Sequence, residues 1–105
     1  MANAMRGEVD VLVDGRTVTL RLTLGAVAEL EQALGADSLV GLVERVERGG
    51  LSAADVLKVL EAGFRGAGRG EDAPAVGDMA FDGGIAGAAQ AATRLLAAGF
   101  TGEAS

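Results

Sequence analysis

The chain has 105 residues, of which 50% are hydrophobic, and its nine basic and fifteen acidic side chains give a formal net charge of -6. This length is typical of one small domain, while the acidic balance and the scattered Lys and Arg argue against a nucleic-acid-binding face, which requires clustered cations. The chain contains no Cys and no His, so disulfides and Cys/His zinc sites are excluded.

The first predicted element is an antiparallel β-hairpin. Two runs of alternating apolar and polar residues, 8–13 and 16–22, flank Asp14-Gly15. An Asp-Gly pair in that position is typical of a two-residue hairpin turn. Such a turn fixes the register, placing Val13 opposite Arg16.

This register divides the side chains of the hairpin between two faces. Glu8 lies opposite Arg21, which predicts a cross-strand pair of opposite charge, and Leu12 is the apolar exception on the polar face. The apolar face comprises Val9, Val11, Val13, Val18, Leu20 and Leu22. Because this face requires a covering layer, the predicted fold class is α+β, with an N-terminal antiparallel β-hairpin followed by a small bundle of four to five short α-helices.

Two amphipathic helices are predicted directly after the hairpin. The first covers residues 24–34, between a Thr23 N-cap and Gly35. The second begins after residues 37–38 and ends at the glycine pair 49–50. Their predicted inward residues are Leu24, Val27, Leu30 and Leu34 in the first helix, and Leu39, Leu42, Val43 and Val46 in the second.

The second half of the chain predicts more helix, interrupted by glycines. Ser52-Ala-Ala-Asp55 is a capping-box pattern that opens a third helix, and a flexible break follows at 66–70. A short helical turn is expected from Asp72 to about Phe81, because Pro74 is tolerated in a first turn. The last helix is predicted at 85–98. The inward residues are Val56, Leu57, Val59, Leu60 and Phe64, then Ile85, Ala88, Ala89, Ala92, Leu95, Leu96 and Phe100.

We expect one domain over residues 1–105, with the hairpin at 6–22, the helical part at 23–100 and a flexible tail at 101–105. The most apolar segment, 85–100, contains Arg94 and is too short to span a bilayer. The N-terminal residues lack an apolar run of signal-peptide length. These observations favour a cytoplasmic protein that binds neither a membrane nor nucleic acid.

No catalytic, metal or cofactor site is predicted. Ser38 and Ser52 stand at helix starts, where caps are common. The glycines at 66–70 lack the strand and the Gly-Lys-Ser/Thr ending of a phosphate loop. Neighbouring carboxylates are expected on polar faces or in loops, whereas catalytic carboxylates usually need burial; they are Glu29 with Glu31, Glu44 with Glu47, and Glu71 with Asp72. The chain is therefore expected to be non-enzymatic.

Partner-binding residues are predicted on two surfaces. The hairpin is expected to expose two strand edges, which small proteins use to add strands from partners or from copies of themselves; the alternative is an edge blunted by Asp10, Asp14 and Arg16. The glycine-broken stretch 66–84 either closes over the core, the favoured alternative, or presents apolar side chains to another chain. The predicted partner-binding residues are Leu12, Arg16, Arg65, Arg69, Met79 and Phe81.

Several segments together resemble the small gene transfer agent family of phage-tail proteins. These segments are Gly7-Glu8-Val9, Asp14-Gly15-Arg16, the run from Leu20 to Ala26, Glu29-Leu30-Glu31, Gly50-Leu51-Ser52-Ala53, the run from Ala62 to Gly66, and the helix from Gly84 to Leu96 with the ending Ala97-Ala98-Gly99-Phe100. Members are described as tail-assembly-chaperone-like or tail-tube-associated products of prophage-derived clusters. None of the shared segments is a catalytic motif.

The resemblance implies a role in assembling a phage-like tail. As a tail assembly chaperone, the chain would bind the tape measure protein or the tail tube subunit in the cytoplasm. A tube subunit requires strands long enough to close a ring, and only two short strands are visible, which favours the chaperone. Two other functions stay open: a structural, virion-associated component of the tail tube, and a small regulatory protein-binding module. The chain could also form a homo-oligomer.

Overall fold

The computed structural model of the protein describes residues 7–101. Its elements are β1 (Glu8–Val13), β2 (Arg16–Arg21), α1 (Leu24–Ala33), α2 (Leu39–Gly49), α3 (Ala53–Gly66), a 3-10 helix (Gly70–Asp78) and α4 (Gly84–Thr101). The predicted α+β class, a hairpin followed by helices, is confirmed. Thr101, the first residue of the predicted tail, is the last residue of α4, and residues 1–6 and 102–105 lie outside the described part.

The hairpin has the predicted register. Val13 pairs with Arg16, and Glu8 lies opposite Arg21. Asp14 and Gly15 both have a positive φ, 51° and 78°, as a type I′ turn requires. All six residues of the predicted apolar face are buried, and Leu12 on the polar face is 42% exposed. Glu8 and Arg21, the predicted cross-strand pair of opposite charge, are direct neighbours in the ladder.

α3 lies at the centre of the helical layer. It packs against β2, α1, α4 and the 3-10 helix, while α4 also covers β1. Leu20 of the sheet, Phe64 of α3 and Leu95 of α4 belong to one buried cluster. Gly63 allows the two long helices to approach closely, because a Cβ at this position would lie 2.8 Å from Cδ1 of Leu95. The helices thereby cover the apolar face of the hairpin along both of its strands.

Two residues predicted to face the core are exposed. Leu24 is 81% exposed and Ile85 is 87% exposed. Both lie in the first turn of their helix, where no other element within residues 7–101 covers them. In α1, Ala26 joins Val27 and Leu30 as the buried residues. The side chains of two further predicted inward residues, Leu39 and Phe100, lie outside the described part.

The segment after α3 differs from the predicted helical turn. The 3-10 helix begins at Gly70 and ends at Asp78, and Pro74 lies inside it. Met79 is already extended, with φ -79° and ψ 148°. The backbone therefore reaches Phe81 as a short extended stretch rather than as helix, and this stretch forms an isolated antiparallel bridge to Val13.

Candidate partner-binding site

The extended stretch 79–82 is hydrogen-bonded to the hairpin. The Asp14 N–H donates to the Ala80 carbonyl at 2.8 Å, and the Ala80 N–H donates to Asp14 Oδ1 at 2.9 Å. The Asp82 N–H donates to the Leu12 carbonyl at 3.0 Å. Asp14 therefore forms the hairpin turn and also fixes the position of a segment 66 residues away in sequence.

These bonds correct the expectation that both edges of the hairpin are exposed. Residues 80–82 occupy the outer edge of β1 at Leu12 and Asp14. Farther along the same edge, Nη2 of Arg94 donates to the Asp10 carbonyl at 3.3 Å. The β1 edge is thus closed by the protein's own chain, and the expected strand addition has no access there.

An apolar groove lies beside this stretch, with a volume of about 550 Å³. Its walls come from three parts of the chain: α3, the segment from Val76 to Phe81, and the beginning of α4. Among the lining residues are Val56, Leu57, Leu60, Met79, Phe81 and Ile85. Met79 and Phe81 are half-buried and pack against the core cluster. Ile85, at the border of the groove, is almost fully exposed. The groove is an apolar concave surface that is open to solvent.

The structure divides the six predicted partner-binding residues between two surfaces. Met79 and Phe81 line the apolar groove. Leu12 is joined to the adjacent Asp82 through its carbonyl, but its side chain lies on the polar face of the sheet. Ile85, which the sequence analysis assigned to the core, borders the groove instead; its apolar character was visible, but its exposure was not.

The three arginines of the predicted set lie toward β2. Arg69 borders a polar cleft of about 370 Å³ together with Thr17, Thr19 and Arg21. Nε of Arg65 donates to Glu29 Oε1 at 3.2 Å, which joins α3 to α1. Arg16 is exposed at the hairpin turn. The structure thus places an apolar surface on the β1 side and, on the β2 side, a polar surface to which Arg21, Arg69 and Glu8 contribute.

Sequence reasoning missed the partner of one buried carboxylate. Asp55 accepts from the Ser52 N–H at 3.1 Å, and Ser52 Oγ accepts from the Asp55 N–H at 3.1 Å, as the predicted capping box requires. Nη1 of Arg45 also donates to Asp55 Oδ2 at 3.1 Å, across ten positions of sequence. Burial raises the pKa of Asp55, but the hydrogen bonds from Arg45 and Ser52 and the Arg45 charge outweigh burial and lower it below 3.8.

The arrangement of acidic residues gives no metal centre: residues 7–101 contain no cluster of three or more carboxylate, His or Cys ligands. No helix within residues 7–101 combines the length and the hydropathy that crossing a membrane would require. The Asp55 carboxylate is fully used by its hydrogen bonds, and its role is to join α2 to α3. The apolar groove and the polar cleft are two concave surfaces of the described part with room for another molecule.

Residues 6–102 match the sequence model of a family described as phage tail tube protein, GTA-gp10. The matched range includes both strands, all the helices and both surfaces described above. No curated protein and no solved structure matches the chain.

Proposed function

The chain belongs to the family of phage tail tube protein, GTA-gp10, and from this membership we propose that it acts as a non-enzymatic assembly chaperone for a phage-type tail. A role related to the phage tail follows from the family itself. The finer proposal is that the protein binds the tape measure protein or the tail tube subunit in the cytoplasm before the tail is complete.

The observation that carries the chaperone proposal is the apolar groove. Contiguous apolar surface on a small protein marks a site for another chain. Met79 and Phe81 are held in place by the bonds of residues 80–82 to the hairpin, so the wall of the groove is preformed. A client segment with apolar side chains would bury Ile85, which is otherwise left in water.

The small sheet also favours a chaperone over a tube subunit. A subunit that closes into a tube needs strands that pair with both neighbours around a ring. The described residues form one two-stranded sheet of six-residue strands. Residues 80–82 and Arg94 already occupy its β1 edge. A neighbouring subunit therefore cannot pair with the sheet on that side, as closing a ring would require.

A second candidate is a structural component of the tail tube. The description of the family as a phage tail tube protein favours this role. The two candidates differ in whether the protein is present in the finished particle. A chaperone leaves before the particle is complete, whereas a tube component stays in it in many copies.

The experiment combines affinity capture from particle-producing cells with mass spectrometry of purified particles. We expect the wild-type protein to capture a tape measure or tube protein and to be absent from particles. Ile85→Glu places a charge at the groove and should abolish capture. Leu24→Glu is the matched control, because Leu24 is similarly exposed but lies outside the groove.

Two results would contradict the chaperone proposal. Stoichiometric amounts of the protein inside purified particles would identify it as a structural tail component. Equal client capture by the Ile85→Glu and wild-type proteins would show that the apolar groove is not the client site.

A further inference from the structure

The lining and the length of the apolar groove limit what it can hold. All of its lining residues are glycine or apolar, whereas small-molecule sites add a few polar groups that orient the ligand. The lining residues of α3 run from Ala53 to Leu60, a rise of about 10 Å or two helical turns. The groove therefore suits a short apolar ridge of another protein chain.

The extended stretch beside the groove offers little to an added strand. On its β1 side, the N–H and the C=O of Ala80 are both bonded to the hairpin. On its other edge, the Met79 N–H donates to the Val76 carbonyl at 3.1 Å, and the Gly84 N–H donates to the Phe81 carbonyl at 2.9 Å. These two turns end the edge on either side of Ala80, so a ladder there could not exceed a single residue pair.

A segment bound in the groove therefore has to satisfy its own backbone. An extended segment would place most of its N–H and C=O groups against apolar side chains, and a buried polar group without a hydrogen bond costs free energy. An α-helix bonds these groups within itself and presents only side chains. Two turns of an amphipathic helix carry an apolar ridge at positions i, i+3 or i+4, and i+7.

Two carboxylates border the groove. Asp78 is exposed and lies within the lining segment 76–81. Glu61 is half-buried and lies one turn after the lining residue Leu57, on the same side of α3. The α4 wall adds no charge, because residues 84–93 are all uncharged.

The other charged side chains of these walls are paired or project elsewhere. Asp55 is bonded to Arg45. Lys58 lies two positions from a lining residue in either direction along α3, and so projects from a different side of the helix. Asp82 lies opposite Leu12, which places its side chain on the polar face of the sheet. The remaining charge at the border is negative, which favours a basic partner.

We propose that the groove binds about two turns of an amphipathic α-helix of the client, with an apolar ridge flanked by Lys or Arg. The ridge packs on the α3 wall and covers Ile85, and the basic side chains meet Asp78 and Glu61. This inference rests on the proposed function, in which the groove is the client site, and it specifies the kind of client segment.

A second copy of this chain lacks such a helix in the described part. The large apolar side chains that are exposed there are Leu12, Leu24, Val40 and Ile85, and each belongs to a different element. The larger apolar residues of α1, α3 and α4 are otherwise buried in or packed against the core cluster. A separate client helix therefore fits the groove better than a second copy.

The test is an NMR titration of the full chain with a helix-forming peptide of about 15 residues of Ala and Lys, with Leu at positions i, i+3 and i+7 of one face. Ile85 is the single isoleucine of the chain, so isoleucine labelling gives one methyl signal at the border of the groove. We expect this signal to shift and the peptide to gain helical circular dichroism on binding.

Three control peptides separate ridge, helix and charge. A peptide with the same Leu residues spread over all faces, and one with two central Pro residues, should each bind at least about tenfold more weakly. A peptide with Glu in place of Lys should bind about two- to fivefold more weakly at low salt, as expected for exposed charge pairs.

A pair of variants tests the charge from the side of the protein. Asp78→Lys should weaken binding of the Lys peptide about two- to fivefold. Asp37→Lys, at an exposed position outside the groove, should leave it unchanged. Both positions are exposed, so neither variant disturbs the core.

Three outcomes would overturn the proposal: equal binding of the Pro peptide and the intact peptide, no preference for Lys over Glu, and an Ile85 signal that shifts with protein concentration alone. The third would identify a second copy as the occupant. Failure of the proposed function differs from these, since client capture would then be insensitive to Ile85→Glu and no peptide would shift the Ile85 signal.

Discussion

At the residue scale, one carboxylate joins the start of α3 to α2. Asp55 caps its own helix through Ser52 and also binds the Arg45 guanidinium from α2. The pKa of Asp55 is lowered in the folded state. A carboxyl with a lowered folded pKa stabilises the fold above its unfolded pKa, and this stabilisation is lost as the pH falls through the folded value.

We therefore expect Asp55→Asn to destabilise the protein at neutral pH by about 1–3 kcal/mol. The difference from wild type should shrink as the pH falls below 3.8, the ordinary pKa of this group. Urea unfolding of both proteins across this pH range measures the effect. Asp37→Asn, at an exposed position, is the control, and a difference that does not depend on pH would contradict the assignment.

Gly66 illustrates a second residue-scale constraint. Alanine normally stabilises a helix relative to glycine. At Gly66, however, a Cβ would overlap the Arg21 carbonyl oxygen. We expect Gly66→Ala to cost about 1–3 kcal/mol, as overpacking does. Gly70→Ala is the control, since its nearest contact would be the flexible Arg65 Cγ at 3.8 Å. Thermal unfolding compares the two variants, and an increase in stability for Gly66→Ala would contradict the close approach.

At the element scale, α1 is amphipathic but its apolar residues are not equivalent. Leu30 is 1% exposed within the core cluster, whereas Leu24 lies in the uncovered first turn. The difference arises because periodicity assigns a residue to a helix face, while burial depends on whether another element reaches that turn.

We expect Leu30→Ala to lower the free energy of unfolding by about 2–5 kcal/mol, as a buried large-to-small change does. Leu24→Ala should change it by about 0.5 kcal/mol or less, as surface changes usually do. Chemical denaturation of both variants measures the contrast. Similar losses at the two positions would mean that α1 packs with a different face.

The solvated face of α2 gives the opposite expectation. Glu44 and Glu47 are exposed, and they flank Arg45 along the chain. Reversal of both charges to Lys should change stability by about 0.5 kcal/mol or less. Differential scanning calorimetry tests this, and a decrease in Tm of many degrees would show that this face is packed.

At the scale of the whole molecule, the elements are not held equally. α3 packs against four other elements. α2 is held by the buried Leu42, by the partly buried Val46 and by the ion pair between Arg45 and Asp55. Regions with few buried apolar contacts open locally at lower free energy than the core.

We expect backbone amides of α2 to exchange hydrogen faster than those of α3. Arg45→Gln removes the charge that joins α2 to Asp55 and should increase exchange in α2 while leaving the core of α3 protected. Hydrogen-exchange mass spectrometry resolves the two helices. Equal protection in α2 and α3 would contradict this ranking.

The sequence by itself determined the features that depend on near neighbours. Asp14-Gly15 defined the hairpin register, because turn conformation and the two-residue period of a strand are local properties. Ser52 and Asp55 marked the start of α3 for the same reason, since a capping box lies within one turn. The apolar character of Met79 and Phe81 was also evident and led to their selection as candidate site residues.

Only the tertiary structure decided how these elements close on one another. The bonds from residues 80–82 to the hairpin join segments that are far apart in sequence, and they close the β1 edge of the sheet. The groove needs walls from α3, the extended stretch and α4 together. Side-chain burial and edge pairing arise from contacts between distant segments, and a local pattern contains no information about which distant segment will be adjacent.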